Sequence, residues 1–136
     1  MSLDETFQNA INSVPECVAS GCVDMTTGML LGAQTDGNHS QAKLDVVAAA
    51  TADLFRGASV AEIETMFRKA NGNGGAKGHY YQEILVFSEE LVHVFLRTRN
   101  YPEHVVVFVC RKNANPGIVL AKTRMVLDSV ADKLAS

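Results

Sequence analysis

The sequence predicts a single α/β domain spanning residues 1–136, built from amphipathic helices, one strand hairpin and one strand meander. Its 136 residues suit one hydrophobic core. Hydrophobic residues make up 47% of the chain and charged residues 20%, which is typical of a packed globular protein. Apolar residues recur at helical spacing in some segments and form short β-branched runs in others, so both kinds of element are expected.

The chain opens with an amphipathic helix followed by a hairpin. Apolar residues at three- and four-residue steps predict a helix to about Ser13, where Pro15 stops it. The runs from Cys17 to Met25 and from Met29 to Ala33 predict two strands. The turn between them contains Gly28, which we expect to have a positive φ.

Two helices are predicted next. Asn38 or Ser40 can cap the first, which ends at Gly57. Its apolar stripe consists of Leu44, Val47, Ala48, Thr51, Leu54 and Phe55. The second begins at Ser59, and we expect its buried face to consist of Val60, Ile63, Met66 and Phe67. A glycine-rich loop from Asn71 to Gly78 follows.

Three strand-like runs then predict an antiparallel meander, covering Tyr80 to Phe87, Leu91 to Arg97 and His104 to Arg111. The segment from Val105 to Cys110 is apolar throughout, so both of its faces should be covered and it should lie in the middle of a sheet. Asn115-Pro116-Gly117 predicts the start of a closing helix.

Two segments, taken with this order of elements, resemble the Roadblock/dynein light chain family, in particular its bacterial GTPase-regulator-like members. They are VASGCVDMTTGMLL at residues 18–31 and NPGIVLAKTR at residues 115–124. The resemblance implies a five-stranded antiparallel sheet flanked by helices in the order α-β-β-α-β-β-β-α. The segment from Ala58 to Gly78, an extra helix and glycine loop before the third strand, departs from the family pattern.

The resemblance also implies a dimer formed by the first meander strand and the long helix, with a second copy or a paralogue as the partner subunit. An apolar strand left open at a sheet edge is an aggregation hazard, which independently favours a partner strand there. The expected interface residues are Tyr80, Gln82, Ile84, Val86, Leu44 and Ala48.

The resemblance further implies a non-catalytic module that regulates or scaffolds a small Ras-like GTPase or another protein complex. Composition agrees, since a net charge of -3 and a pI near 5.7 provide no field to attract nucleic acid. The longest apolar runs are far shorter than the roughly 20 residues of a spanning helix, and the N-terminus lacks a basic-then-apolar signal pattern. We therefore expect a cytoplasmic protein without membrane insertion.

Candidate chemical groups favour a protein without a catalytic, metal or cofactor site. The glycine loop lies between a helix and a strand, the inverse of a phosphate-binding loop's context, and Gly78 follows Lys77 where Ser or Thr is required. The four histidines are scattered, and Cys22 lies in an apolar strand, where a thiol is usually inert. Two alternatives stay open: a small-ligand sensor with a pocket between sheet and helix, and an enzyme using Cys22 or the glycine loop.

Overall fold

The computed structural model describes residues 3–35, 41–56, 58–70, 82–98, 101 and 103–135. Four helices and five strands lie in these ranges. The helices are α1 (Leu3–Ser13), α2 (Gln41–Arg56), α3 (Ala58–Ala70) and α4 (Pro116–Ala135). The strands are β1 (Cys17–Asp24), β2 (Met29–Thr35), β3 (Glu83–Phe87), β4 (Leu91–Arg97) and β5 (His104–Arg111).

The five strands form one antiparallel sheet in the order β2-β1-β5-β4-β3. The predicted hairpin is β1-β2 and the predicted meander is β3-β4-β5, joined where β1 pairs with β5. The apolar strand β5 is therefore central, as predicted, and β2 and β3 are the two edges.

Each face of the sheet carries its own hydrophobic core. On one face α1 and α4 cover a cluster that includes Phe7, Phe108 and Val119. On the other face α2 covers a second cluster that includes Phe55, Phe95 and Val107. Because consecutive strand residues point to opposite faces, β5 supplies both clusters alternately, which explains why its sequence is continuously apolar.

The predicted turn at Gly28 and the predicted start of the last helix at Asn115 are confirmed. Gly28 has φ +74° in the β1-β2 turn, where its amide donates to the Asp24 carbonyl at 2.7 Å. Asn115 caps α4, since its Oδ1 accepts hydrogen bonds from the amides of Gly117 (2.9 Å) and Ile118 (3.2 Å).

The predicted buried face of α3 is wrong for two of its four residues. Met66 and Phe67 are 66% and 51% exposed, whereas Val60 and Ile63 are partly buried. The reason is that, within the described part of the chain, α3 packs mainly on α2, so only a narrow part of its apolar stripe is covered.

Several predictions lie outside the described residues. They concern the capping residues Asn38 and Ser40, the helix end at Gly57, the glycine loop at residues 71–78 and Tyr80. Gln82 precedes β3, whose first residue is Glu83.

Candidate protein-interaction site

Strand β3 is an edge strand whose two faces differ. Leu85 packs against the core beneath α1 and α4, while Ile84 packs against the core beneath α2. Val86 and Phe87 are 37% and 56% exposed. The strand thus presents apolar surface next to an edge that pairs with no other strand of the described chain.

The backbone of β3 has donors and acceptors directed away from the sheet. The Arg97 amide donates to the Gln82 carbonyl at 2.9 Å, and the Ser88 amide donates to the Leu91 carbonyl at 2.8 Å. In an antiparallel ladder such bonds alternate along the strand. Ile84 and Val86 therefore bond to β4, and the peptide groups of Glu83, Leu85 and Phe87 point to the open edge.

A groove lies beside this edge, between α2 and the outer strands. Its volume is about 450 Å³. It is lined by Val47, Ala50, Asp53 and Leu54 of α2, by Val86 of β3, and by His93 and Phe95 of β4. The lining is mostly apolar, so covering it with another apolar surface would remove hydrophobic area from water.

Two polar side chains, His93 and Asp53, interrupt the apolar lining. The His93 ring stacks on the Phe95 ring, with centroids 6.3 Å apart and planes inclined by 10°. Burial lowers the pKa of His93, because the charged imidazolium is disfavoured away from water. The groove is therefore best suited to a neutral His93 and an apolar covering surface.

An ion pair fixes the opposite face of β3. Arg124 of α4 donates from Nε to Glu83 Oε2 at 2.8 Å and from Nη2 to the other carboxylate oxygen. The hydrogen bond from Arg124 lowers the pKa of Glu83. Both side chains are partly exposed, so we assign the pair a positioning role for the edge strand rather than a large stabilising one.

The structure brings only some of the predicted interface residues to this surface. Gln82, Ile84 and Val86 lie along the edge, but Ala48 is 1% exposed and packs in the core of its own chain. Its side chain is therefore not available to a partner. Tyr80 and the side chain of Leu44 lie outside the part of the chain that the structure describes.

Sequence reasoning missed the groove residues of α2 and β4. Ala48, Thr51 and Phe55 form the helix stripe that faces the sheet, and the adjacent stripe of Val47, Ala50 and Leu54 faces the groove. Both stripes are apolar, so the sequence signal merges them into one. The unusual position of His93 within an apolar strand was the available clue to the groove.

Cys22, the candidate nucleophile, is fully buried within the core beneath α1 and α4. Burial, with a smaller contribution from the Asp24 carboxylate, raises the pKa of Cys22 to about 12. The thiol therefore stays protonated at neutral pH and is a poor nucleophile.

No group of three or more His, Cys, Asp or Glu among the described residues is placed to hold a metal ion. A cavity beneath α2, lined by residues of β1, β2 and β5, has a volume of about 20 Å³. That is room for roughly one water molecule. Within the ranges that the structure describes, no helix combines the length and the apolar character needed to cross a membrane.

The sheet order and the flanking helices define a Roadblock/LC7 fold. The Roadblock/LC7 domain from Streptomyces avermitilis superimposes with a TM-score of 0.71 over 100% of both chains, at 13% identity. The gliding protein MglB from Thermus thermophilus gives a TM-score of 0.68 at 15% identity, covering 96% of this chain and 87% of MglB. A structure described as MglB with tetrameric arrangement gives 0.69 at 16% identity, covering 96% and 86%.

At the level of sequence, neither a protein-family model nor a curated protein matches the chain. The structural likeness, at these low identities, establishes a shared fold. It confirms the fold that the two sequence segments implied.

Proposed function

We propose that this protein is a dimerising interaction module without an active site of its own. The observation that carries the proposal is the open edge of β3, where outward-facing peptide groups lie beside an apolar groove. Main-chain pairing at such an edge gives affinity, and the adjoining side chains give specificity.

The partner subunit is a second copy or a paralogue, with its β3 antiparallel to the first. A two-fold axis passing near Leu85 brings the same peptide groups of both strands together, as a symmetric dimer requires. The α2 stripe of Val47, Ala50 and Leu54 then faces the equivalent stripe of the other subunit. That a related fold is described as MglB with tetrameric arrangement supports self-association.

The client is a small Ras-like GTPase or another protein complex, and the location is the cytoplasm. The choice of client rests on the family resemblance of the hairpin and the closing helix. We infer that such a module would regulate a GTPase by positioning the GTPase's own catalytic residues.

The decisive experiment is affinity capture from host lysate with either GDP or a non-hydrolysable GTP analogue, followed by mass spectrometry. Capture of a small GTPase with the analogue alone supports regulation. Capture of the same proteins with either nucleotide supports a scaffold. A matched bait carrying a charge in the groove, Val86→Glu, should lose any client that binds only the dimer.

A small-ligand sensor is the second candidate, because the groove's volume of about 450 Å³ lies within the range of ligand pockets. A metabolite that fills the groove should raise the melting temperature, and Ala50→Phe should abolish the rise. If no compound in a metabolite library raises it and the chain dimerises, the groove belongs to the dimer.

A further inference from the structure

Cys17 and Cys110 are directly opposite each other in the paired strands β1 and β5. Cys17 is the first residue of β1, and Cys110 lies next to the last residue of β5. Both side chains belong to the core beneath α1 and α4, and both are reduced thiols in this structure. The pair therefore lies at one end of the sheet, beside the turn that links α1 to β1.

The hydrogen-bond pattern places the two cysteines at a non-hydrogen-bonded position of the ladder. On one side of the pair the Arg111 amide donates to the Glu16 carbonyl at 3.0 Å, and on the other side the register shifts between Cys17 and Ala19. Opposed residues at such positions have Cα atoms about 4.5 Å apart, the closest approach in an antiparallel sheet. Disulfides span Cα separations of about 4.4–6.8 Å, so the backbone needs little movement to accept one.

The two thiols lie in the same buried cluster and influence each other. The neighbouring Cys17 thiol is the main cause of the raised pKa of Cys110, and Cys17 Sγ donates to the Ala19 carbonyl at 3.2 Å. Cys22, the third cysteine, is opposite Val106 and lies several residues along both strands from Cys110. It provides a matched buried thiol that cannot join the pair without unpairing the sheet.

We propose that Cys17 and Cys110 form a dithiol site that a low-molecular-weight disulfide converts to an intramolecular disulfide bond. The Cys17 thiolate attacks the reagent disulfide, forming a mixed disulfide and releasing one thiol. Cys110 then attacks the Cys17 sulfur, forming the Cys17–Cys110 bond and releasing the second thiol. The two protein thiols lose two electrons and two protons, and the reagent disulfide becomes two thiols.

Exposure sets the order of these steps. Cys17 is 9% exposed, whereas Cys110 is completely buried, so the reagent reaches Cys17 first. The hydrogen bond to Cys17, followed by burial, raises the pKa of Cys110, which disfavours its thiolate. Closure is therefore slow, on a scale of roughly minutes to hours, and requires only the local opening of the end of β1.

The test incubates the reduced, folded 136-residue chain with 2-hydroxyethyl disulfide at pH 8 and blocks remaining thiols with iodoacetamide. Tryptic peptides are then sequenced by tandem mass spectrometry, because Cys17 and Cys22 share the peptide of residues 1–43 and only fragment ions from cleavage between them identify the linked cysteine. The expected product is a peptide containing Cys17 linked to the peptide containing Cys110, with Cys22 alkylated only after unfolding. The link should persist in Cys22→Ala and be lost in Cys17→Ala and Cys110→Ala. The oxidised protein should melt at a higher temperature, because the bond constrains the unfolded chain, and a reductant should reverse the rise.

Three outcomes would overturn the proposal. They are a wild-type chain that stays fully reduced, a mixed disulfide on Cys17 that never closes, and a link that involves Cys22. Because fragment ions of the wild-type peptides separate these outcomes, the test does not depend on how well the variants fold. It also does not depend on dimerisation or on a GTPase client.

Discussion

Val86→Glu tests the groove as an interface most directly. Val86 is 37% exposed beside the open edge, and full burial of a valine side chain is worth about 2 kcal/mol. Covering the exposed part contributes about 0.7 kcal/mol per subunit, or about 1.5 kcal/mol in a symmetric dimer. Because alanine keeps one of the three side-chain carbons, Val86→Ala should cost about 1 kcal/mol of dimer stability and raise the dissociation constant roughly fivefold.

Glutamate adds a larger penalty because it places a carboxylate in each half of the interface. An unpaired buried polar group costs about 1–3 kcal/mol, and a charge costs more. With two such groups, Val86→Glu should raise the dissociation constant by a further factor of roughly 100 or more. The isolated subunit should lose little stability, since the new side chain can remain in water there.

Sedimentation equilibrium over a range of protein concentrations measures the dissociation constant, and thermal unfolding checks the fold. The matched control is Met125→Glu, since Met125 is 70% exposed on α4, which covers the other face of the sheet. The control should dimerise like the wild type. A wild-type chain that is monomeric throughout, or two variants with equal dissociation constants, would refute the groove as the dimer interface.

Three further changes test local features of the fold. Gly28→Val should lower the free energy of unfolding by about 1–2 kcal/mol, because φ is +74° and the backbone, not crowding by side chains, disfavours valine there. Gly28→Asn should lower it less. Equal melting temperatures for the two variants would contradict the importance of the positive φ. Asn115→Ala should remove the cap of α4 and cost about 1 kcal/mol, measured as a fall of about 3–4 °C in melting temperature, while Asn115→Asp should retain it. Because the pKa of His93 is lower in the folded chain, the unfolded chain binds more protons than the folded chain below about pH 6.5. The free energy of unfolding should therefore be highest above that pH and should fall as the pH drops towards the folded-state pKa of His93. His93→Phe should flatten this part of the urea-unfolding profile, and an unchanged pH dependence would exclude His93 as its source.

Local sequence patterns predicted the order of the helices and strands, and the bounds of several of them, closely. The β4 and β5 boundaries agree with the structure, because a continuous or nearly continuous apolar run between turn residues leaves little freedom in register. The central position of β5 followed from the same physics, since a strand without polar residues needs a cover on both faces. The cap at Asn115 and the positive φ at Gly28 are also local, because each depends on groups within a few residues.

Predictions of which surface covers the apolar face of a helix were less accurate. Ala48 was expected at an interface and is in the core, while the neighbouring Val47 faces the groove. Met66 and Phe67 have core spacing yet are exposed. Helical periodicity gives the direction of an apolar stripe to within about one residue, but it carries no information on which surface covers the stripe.

The sequence by itself determined the class of fold, the order of its elements, the turn at Gly28 and the covering of β5, because each follows from spacing and side-chain type along the chain. Only the tertiary structure decided that α2 leaves a groove beside β3 and that Cys17 lies opposite Cys110. Each of these features brings together residues that are distant in sequence. Strand order and register decide which residues meet, and both depend on how the two faces of the sheet pack against the helices.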